Sequence, residues 1–284
     1  MNLEAIQQFP FKTVEQAYTH KDTILYALGI GFGQNPVDPV QLAYVYEEGL
    51  KAVPSYACVL AHPGFWVKEP ALGIVWQKLL HIEQRFTIHE PLPPRGTMRG
   101  SYRIAGVEDR GTAKGAVLQI EKELRNAEDN RLHATVTSVY LLRGDGGQGG
   151  FGALAAPLEP LPERAADKSF DLQSPPDAAL LYRLSGDWNP LHASPAIAKQ
   201  AGFDRPILQG LCTLGYATNA ALQSYAGAQA ERIASMAVRF SRPVFPGDLI
   251  RTEFYEESGA IRFRSIALPR NEVVLDRGVI TLRS

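Results

Sequence analysis

The chain has 284 residues, enough for one large domain or two of ordinary size. Hydrophobic residues make up 45% and charged residues 21%, with a formal net charge of -1. That balance is globular and argues against a nucleic-acid or membrane partner. Cys58 and Cys212 form no C-x-x-C pair, so neither a disulfide framework nor a zinc cluster is expected. His20, His62, His89 and His133 show no ligand spacing, and no metal site is expected. No secretory signal opens the chain, and no apolar run approaches the ~20 residues of a membrane helix. The C-terminal Thr281-Leu282-Arg283-Ser284 is not a peroxisomal Ser-Lys-Leu address, which leaves a cytoplasmic protein as the expectation.

Taken in chain order, each half runs from helix-like to strand-like sequence. Between Pro54 and Lys78 the chain carries His62-Pro63-Gly64, Pro70 and Gly73, so a long uninterrupted helix cannot form there. A sheet lacking that helix would leave volume for a ligand. Gly144 to Gly152 is glycine-rich and leads into Pro157, Pro160 and Pro162, where neither helix nor strand should persist. Its formal G-x-G-x-x-G at Gly144, Gly146 and Gly149 precedes prolines, not the helix that a dinucleotide loop requires, so it reads as a linker. Beyond it, Ala196 to Ala201 predicts a short helix. Leu211 to Tyr225 predicts a longer one, uncharged and therefore buried all round. Strands are predicted over Ala234–Phe240, Leu249–Tyr255, Ile261–Leu268 and Val273–Leu282. The fold class is α+β, an antiparallel sheet wrapped on a helix.

The halves echo one another. Tyr26-Ala-Leu-Gly precedes Asn35-Pro36, and Tyr182-Arg-Leu-Ser-Gly precedes Asn189-Pro190. Arg85-Phe86 precedes Pro93-Pro94-Arg95-Gly96, and Arg239-Phe240 precedes Pro246-Gly247. The matching order and nearly equal spacing indicate a duplicated unit.

Leu184-Ser-Gly-Asp187-Trp-Asn189-Pro-Leu-His192 places an acid, an amide and an imidazole close together. On a regular helix Asp187 and His192 would diverge, but Pro190 makes the segment a loop, which can fold both onto one small volume. The plainer alternative is a polar turn in which Asp187 caps the next helix and His192 is incidental. Gly210 stands just before the long helix, where free backbone N–H groups and the positive dipole end favour a developing oxyanion; close helix–helix packing is an equal reading of the glycine. Ser185 lacks a nucleophile-elbow context, and Cys212 reads as a small buried residue. Arg262, Arg264 and Arg270 read as a solvated strand face.

Tyr182-Arg-Leu-Ser-Gly-Asp-Trp-Asn-Pro-Leu-His192, then Ala201-Gly-Phe-Asp-Arg-Pro-Ile-Leu-Gln-Gly-Leu-Cys-Thr213 and Ala237-Val-Arg-Phe-Ser-Arg-Pro-Val-Phe-Pro-Gly247, resemble the signature of the R-specific enoyl-CoA hydratases, the MaoC-like or hydratase 2 family. Asp22-Thr-Ile-Leu-Tyr-Ala-Leu-Gly-Ile-Gly31 and Leu80-His-Ile-Glu-Gln84 extend the resemblance to the first half. It implies a double hot-dog fold: a non-catalytic repeat over 1–143, a linker over 144–165 and a catalytic repeat over 166–284. It implies Asp187 and His192 as the catalytic pair, with Asn189 holding water and Gly210 donating to the thioester carbonyl. It further implies substrate contacts from His81, Arg110, Trp188 and Phe240, with Arg110 on the CoA moiety. The implied substrate is an acyl-CoA thioester, with no separate cofactor and a homodimeric assembly. Gln209 stands where the family usually has His, and Ile82 replaces a common Gly. The first repeat has neither an aligned Asp nor an aligned His, so one active site per chain is expected. A hot-dog thioesterase or a non-catalytic acyl-CoA or acyl-carrier binding protein is the alternative.

Overall fold

The structure, a computed structural model, describes residues 1–283. Eleven strands form one antiparallel sheet: β1 (Val14–Tyr18), β2 (Leu79–Ile88), β3 (Gly96–Asp109), β4 (Ala116–Asn126), β5 (Leu132–Leu142), β6 (Phe151–Gly152), β7 (Lys168–Gln173), β8 (Ile233–Phe240), β9 (Leu249–Glu257), β10 (Ala260–Leu268) and β11 (Glu272–Leu282). The spatial order is β1-β3-β4-β5-β2-β8-β11-β10-β9-β7, with β6 beside β3.

That order reads the same from either end once β1 to β5 are matched with β7 to β11, omitting β6 and taking the rest in sequence. The duplication legible in the sequence is therefore a two-fold arrangement centred on the pairing of β2 with β8. Gln84 faces Val238 there, at the same sequence interval that relates Phe86 to Phe240. Helices α1 (Leu3–Gln7), α2 (His20–Gly29), α3 (Pro39–Val45), α4 (Ala178–Tyr182), α5 (Pro195–Gln200) and α6 (Gly210–Ala221) complete the layers. Tyr26 on α2 and Tyr182 on α4, which mark the two repeats in the sequence, meet with ring centroids 5.9 Å apart.

Helix α6 is the predicted uncharged helix, and Cys212 to Ala221 are all buried. It ends in a π-type turn over Leu222–Ala226. Its polar groups reach into the first repeat: Asn219 Nδ2 donates to the Ile30 carbonyl at 3.0 Å and the Cys212 thiol to the Gly29 carbonyl at 3.3 Å. A buried amide in an otherwise apolar helix needs such partners. The first repeat has no counterpart helix. Residues 54–78 instead make four 3-10 turns, as the prolines require. The vacated volume is largely refilled, because Ala52 to Ala61 are buried, and a narrow cleft of about 20 Å³ lies beside Cys58.

The expectation that no strand persists between Gly144 and Gly152 is corrected by β6. Phe151 and Gly152 pair with Val107 and Gly106, beyond the point where β1 leaves the edge of β3 free. Only glycine fits at 152: its φ is +70°, and a Cβ there would lie 2.1 Å from the Ala105 carbonyl oxygen. The Asp109 carboxylate accepts from the amides of Gly111, Gly147 and Gly149 at 2.8, 2.8 and 2.7 Å, tying the glycine run to the turn after β3. These bonds hold its carboxyl below the usual range. No helix among the described residues is long and apolar enough to cross a membrane.

The contact of α6 with α2 is tight enough to test. A Cβ on Gly215 would lie 2.2 Å from Ile30 Cγ2. Gly215→Ala is expected to destabilise the protein by ~1–3 kcal/mol through overpacking, read from denaturant unfolding. An unchanged midpoint would mean that the helices do not pack this closely.

Candidate active site

The loop after α4 is built by its own sequence. Gly186 turns the chain with φ of +122°. Asp187 Oδ1 accepts from the Asn189 amide at 3.1 Å, and Asn189 Oδ1 accepts from the Leu191 amide at 3.1 Å. Asn189 is extended (φ -58°, ψ 122°), the conformation favoured before proline, and it caps the single 3-10 turn Pro190–His192. The turn-forming alternative holds only in part: Asp187 and Asn189 fold the loop, but Asn189 caps the 3-10 turn and Ser194 caps α5, so Asp187 is not the expected helix cap.

His192 is buried, and its Nδ1 lies 2.8 Å from the Ile207 carbonyl oxygen. A carbonyl only accepts, so Nδ1 carries the ring proton and a neutral ring presents the Nε2 lone pair. Nε2 lies 3.8 Å from Asp187 Oδ2, beyond direct hydrogen-bond length. Two acceptors facing one another across that gap favour a shared proton donor between them.

Ile207 leads directly into α6. Gln209, buried, donates from Nε2 to the Ala179 carbonyl on α4 at 3.1 Å and so fixes the start of the helix. The glutamine amide supplies an N–H donor at the position where the family usually has His. Gly210 opens α6 at the exposed end of its dipole. A Cβ at Gly210 would lie 3.4 Å from the Phe240 ring, so the glycine keeps a gap between the backbone N–H groups and that ring.

Phe240 and His81 meet with ring centroids 4.9 Å apart, and His81 and Tyr140 meet at 4.9 Å. The β2–β8 pairing brings His81 and Phe240 together and the β2–β5 pairing sets Tyr140 opposite His81, so Gly210, Phe240 and His81 form one row across the repeat boundary. His81 Nε2 lies 3.1 Å from the Glu83 carbonyl oxygen. Burial pushes its imidazole down to about 4, so it is neutral at neutral pH. Trp188 is exposed, with the Arg183 guanidinium 4.6 Å from its ring centroid. Arg110 lies on the turn between β3 and β4, where its Nε donates to Glu108 at 3.1 Å. Arg264 pairs with Glu253, and Arg270 with Asp248 and Glu272, so neither is a free cation.

In the first repeat the same turn survives without its chemistry. Asn35 Oδ1 accepts from the Val37 amide at 3.3 Å, but Gly33 stands in the place of Asp187 and Asp38 in the place of His192. The partner that sequence reasoning missed is the Ile207 carbonyl. A backbone oxygen carries no residue signature, although the fixed short interval from His192 to the start of α6 was visible.

The wrapped sheet, the single buried helix and the two-fold arrangement define a double hot-dog protein. A profile described as "MaoC like domain" matches residues 157–275, and one described as "MFE-2 hydratase 2 N-terminal domain" matches residues 16–144. The 3-hydroxyacyl-thioester dehydratase Y of Mycobacterium tuberculosis is 36% identical, over 93% of this chain and 92% of that one. The peroxisomal enoyl-CoA hydratase 2 of Arabidopsis thaliana is 33% identical, over 94% of this chain and 90% of that one. The crystal structure of a MaoC-like dehydratase from Phytophthora capsici superposes with a TM-score of 0.87 at 31% identity, over 100% of this chain and 99% of that one. The chain belongs to the MaoC-like hydratase 2 family.

The neutral state of His81 has a measurable consequence. An imidazole in the unfolded chain protonates near its ordinary 6.5, whereas the folded one resists until about 4. The unfolded state therefore binds more protons in that window, and the contribution present above 6.5 is lost as the pH falls through it. His81→Gln is expected to lose less stability than the parent over that interval, measured by denaturant unfolding at both ends. An equal loss in both proteins would show that His81 is not held neutral.

Proposed function

We propose that the chain catalyses reversible hydration of a trans-2-enoyl-CoA to the (R)-3-hydroxyacyl-CoA at one site, in the second repeat. The reading is carried by a single observation: the His192 lone pair and the Asp187 carboxylate converge across 3.8 Å beside the open start of α6. A water there donates one proton towards each acceptor, which turns its own lone pairs outward to C3 of the substrate. The amide of Asn189's side chain, whose oxygen is used by the turn, has its N–H groups free to hold that water.

The Gly210 N–H, at the positive end of α6, polarises the thioester carbonyl as negative charge moves onto it. Proton delivery to C2 and removal from water belong to Asp187 and His192 together, and dehydration runs the same steps backwards. Phe240 and His81 flank the acyl chain as it leaves the carbonyl, Trp188 borders the exposed mouth, and Arg110 meets the CoA moiety. The CoA is carried by the substrate, and the steps use no other cofactor.

The direct test follows the conjugated-bond absorbance of crotonyl-CoA and of a longer enoyl-CoA while assaying free thiol. Loss of absorbance without thiol release, giving the (R)-3-hydroxyacyl product, is the expected result. Thiol release would make the protein a thioesterase, and binding without turnover would make it a carrier. Asp187→Asn and His192→Gln are each expected to lower kcat by about 10²–10⁴-fold in folded protein. Near-full turnover in either would remove that residue from the mechanism.

A further inference from the structure

Lys122 is the fully buried cation of the chain: among the described residues no other lysine or arginine is so enclosed. It lies on β4 between Ile120 and Leu124, at a place where strand alternation calls for an apolar side chain. Its Nζ donates to the carbonyl oxygens of Ala57 at 2.7 Å, Leu60 at 2.8 Å and Cys58 at 3.3 Å. Among the described residues no carboxylate pairs with it. Burial lowers the ammonium to about 8, so it remains largely charged at neutral pH. A buried cation without a counter-charge is costly, and three neutral carbonyls offset only part of that cost.

Lys122 borders the cleft of about 20 Å³ in the first repeat, with Cys58, His62, Tyr102, Ser138 and Tyr140 around it. No acidic residue lines this cleft. His62 Nδ1 accepts from the Gly64 amide at 3.1 Å, which places the proton of the neutral ring on Nε2. The Tyr140 hydroxyl keeps its proton, because burial pushes it up to about 12. The lining thus offers a positive charge and spare donors, and calls for an acceptor. The Tyr140 ring is also the next step in the row that runs from Gly210 through Phe240 and His81.

We propose that this cleft takes the far end of the acyl chain, and that Lys122, with Tyr140 and His62, selects an acyl group ending in a carboxylate over one ending in a methyl group. The inference rests on the hydratase reading above. The cleft has room for a water-sized group, which suits one end group and not a bundle of methylenes. A carboxylate oxygen takes the place of the long contact with the Cys58 carbonyl and forms a charge-assisted bond. A methyl end would cover the charge and return nothing for it.

The test compares a medium-chain trans-2-enoyl-CoA ending in a methyl group with its equal-length counterpart ending in a carboxylate. The parent protein is expected to favour the carboxylate in kcat/KM by at least about tenfold, within what one buried charge-assisted hydrogen bond supplies. Lys122→Met is expected to abolish that ratio and Tyr140→Phe to reduce it. Because each ratio is internal to one protein sample, a partly unfolded variant does not distort it. If Lys122→Met gives no folded protein, the Tyr140→Phe ratio decides, and an unchanged ratio there overturns the proposal. Equal use of both substrates by the parent, preference for the methyl end, or a preference that survives Lys122→Met also overturns it. Failure to hydrate either substrate would overturn the hydratase reading itself, whereas hydration of the methyl-ended substrate alone would leave that reading standing.

Discussion

The pairing of β2 with β8 is the constraint on which the rest of the molecule depends. It joins two repeats into one continuous sheet, with Gln84 opposite Val238 at the centre. It also sets His81 from the first repeat against Phe240 from the second. Neither repeat alone contains that contact. The first repeat supplies the side of the site that lacks a central helix, and the second supplies the helix whose first turn faces it. Slipping the β2–β8 register by one residue would send His81 and Phe240 to the opposite face and break the row.

Division of labour between the repeats reflects what each kept. Both have an asparagine whose side-chain oxygen accepts from the amide two residues on, so the local fold of that loop does not depend on its chemistry. Only the second turn carries an acid before it and an imidazole at its end. There the Ile207 carbonyl, two residues before the Gln209 cap of α6, fixes the proton on Nδ1 of His192. The loop and the helix start are thereby held to one another by a hydrogen bond from the His192 ring to a backbone carbonyl, and the orientation of Nε2 depends on it. The first repeat lost its helix to prolines and glycines, and the refilled space is held by Lys122, whose three bonds hold the 57–60 segment against the sheet.

Much of this was legible in the sequence because it is periodic or local. The uncharged run after Gly210 gave α6 and its burial from Cys212 to Ala221. Alternation gave the last four strands to within about two residues, the usual uncertainty of strand ends. Pro54 to Gly73 excluded a central helix in the first repeat. Pro190 made the Asp187–His192 segment a loop, though whether the two side chains converge is a matter of dihedral angles that residue types do not encode. The short strand β6 was illegible, since glycines pair there only because β1 leaves part of β3 uncovered. Lys122 was missed although its spacing from Ile120 and Leu124 put it on the apolar face of β4. A lysine in such a pattern is easily read as an edge effect unless its carbonyl partners, distant in sequence, are known.

The central claim is that one substrate spans both repeats, from the start of α6 to the interior of the first sheet. A crystal structure of the protein with a bound 3-hydroxyacyl-CoA tests it most directly. The account requires the thioester oxygen about 3 Å from the Gly210 amide, the 3-hydroxyl between Asp187 and His192, and the acyl chain running past Phe240 and His81. A thioester oxygen bound elsewhere, or an acyl chain that stays within the second repeat, would contradict it.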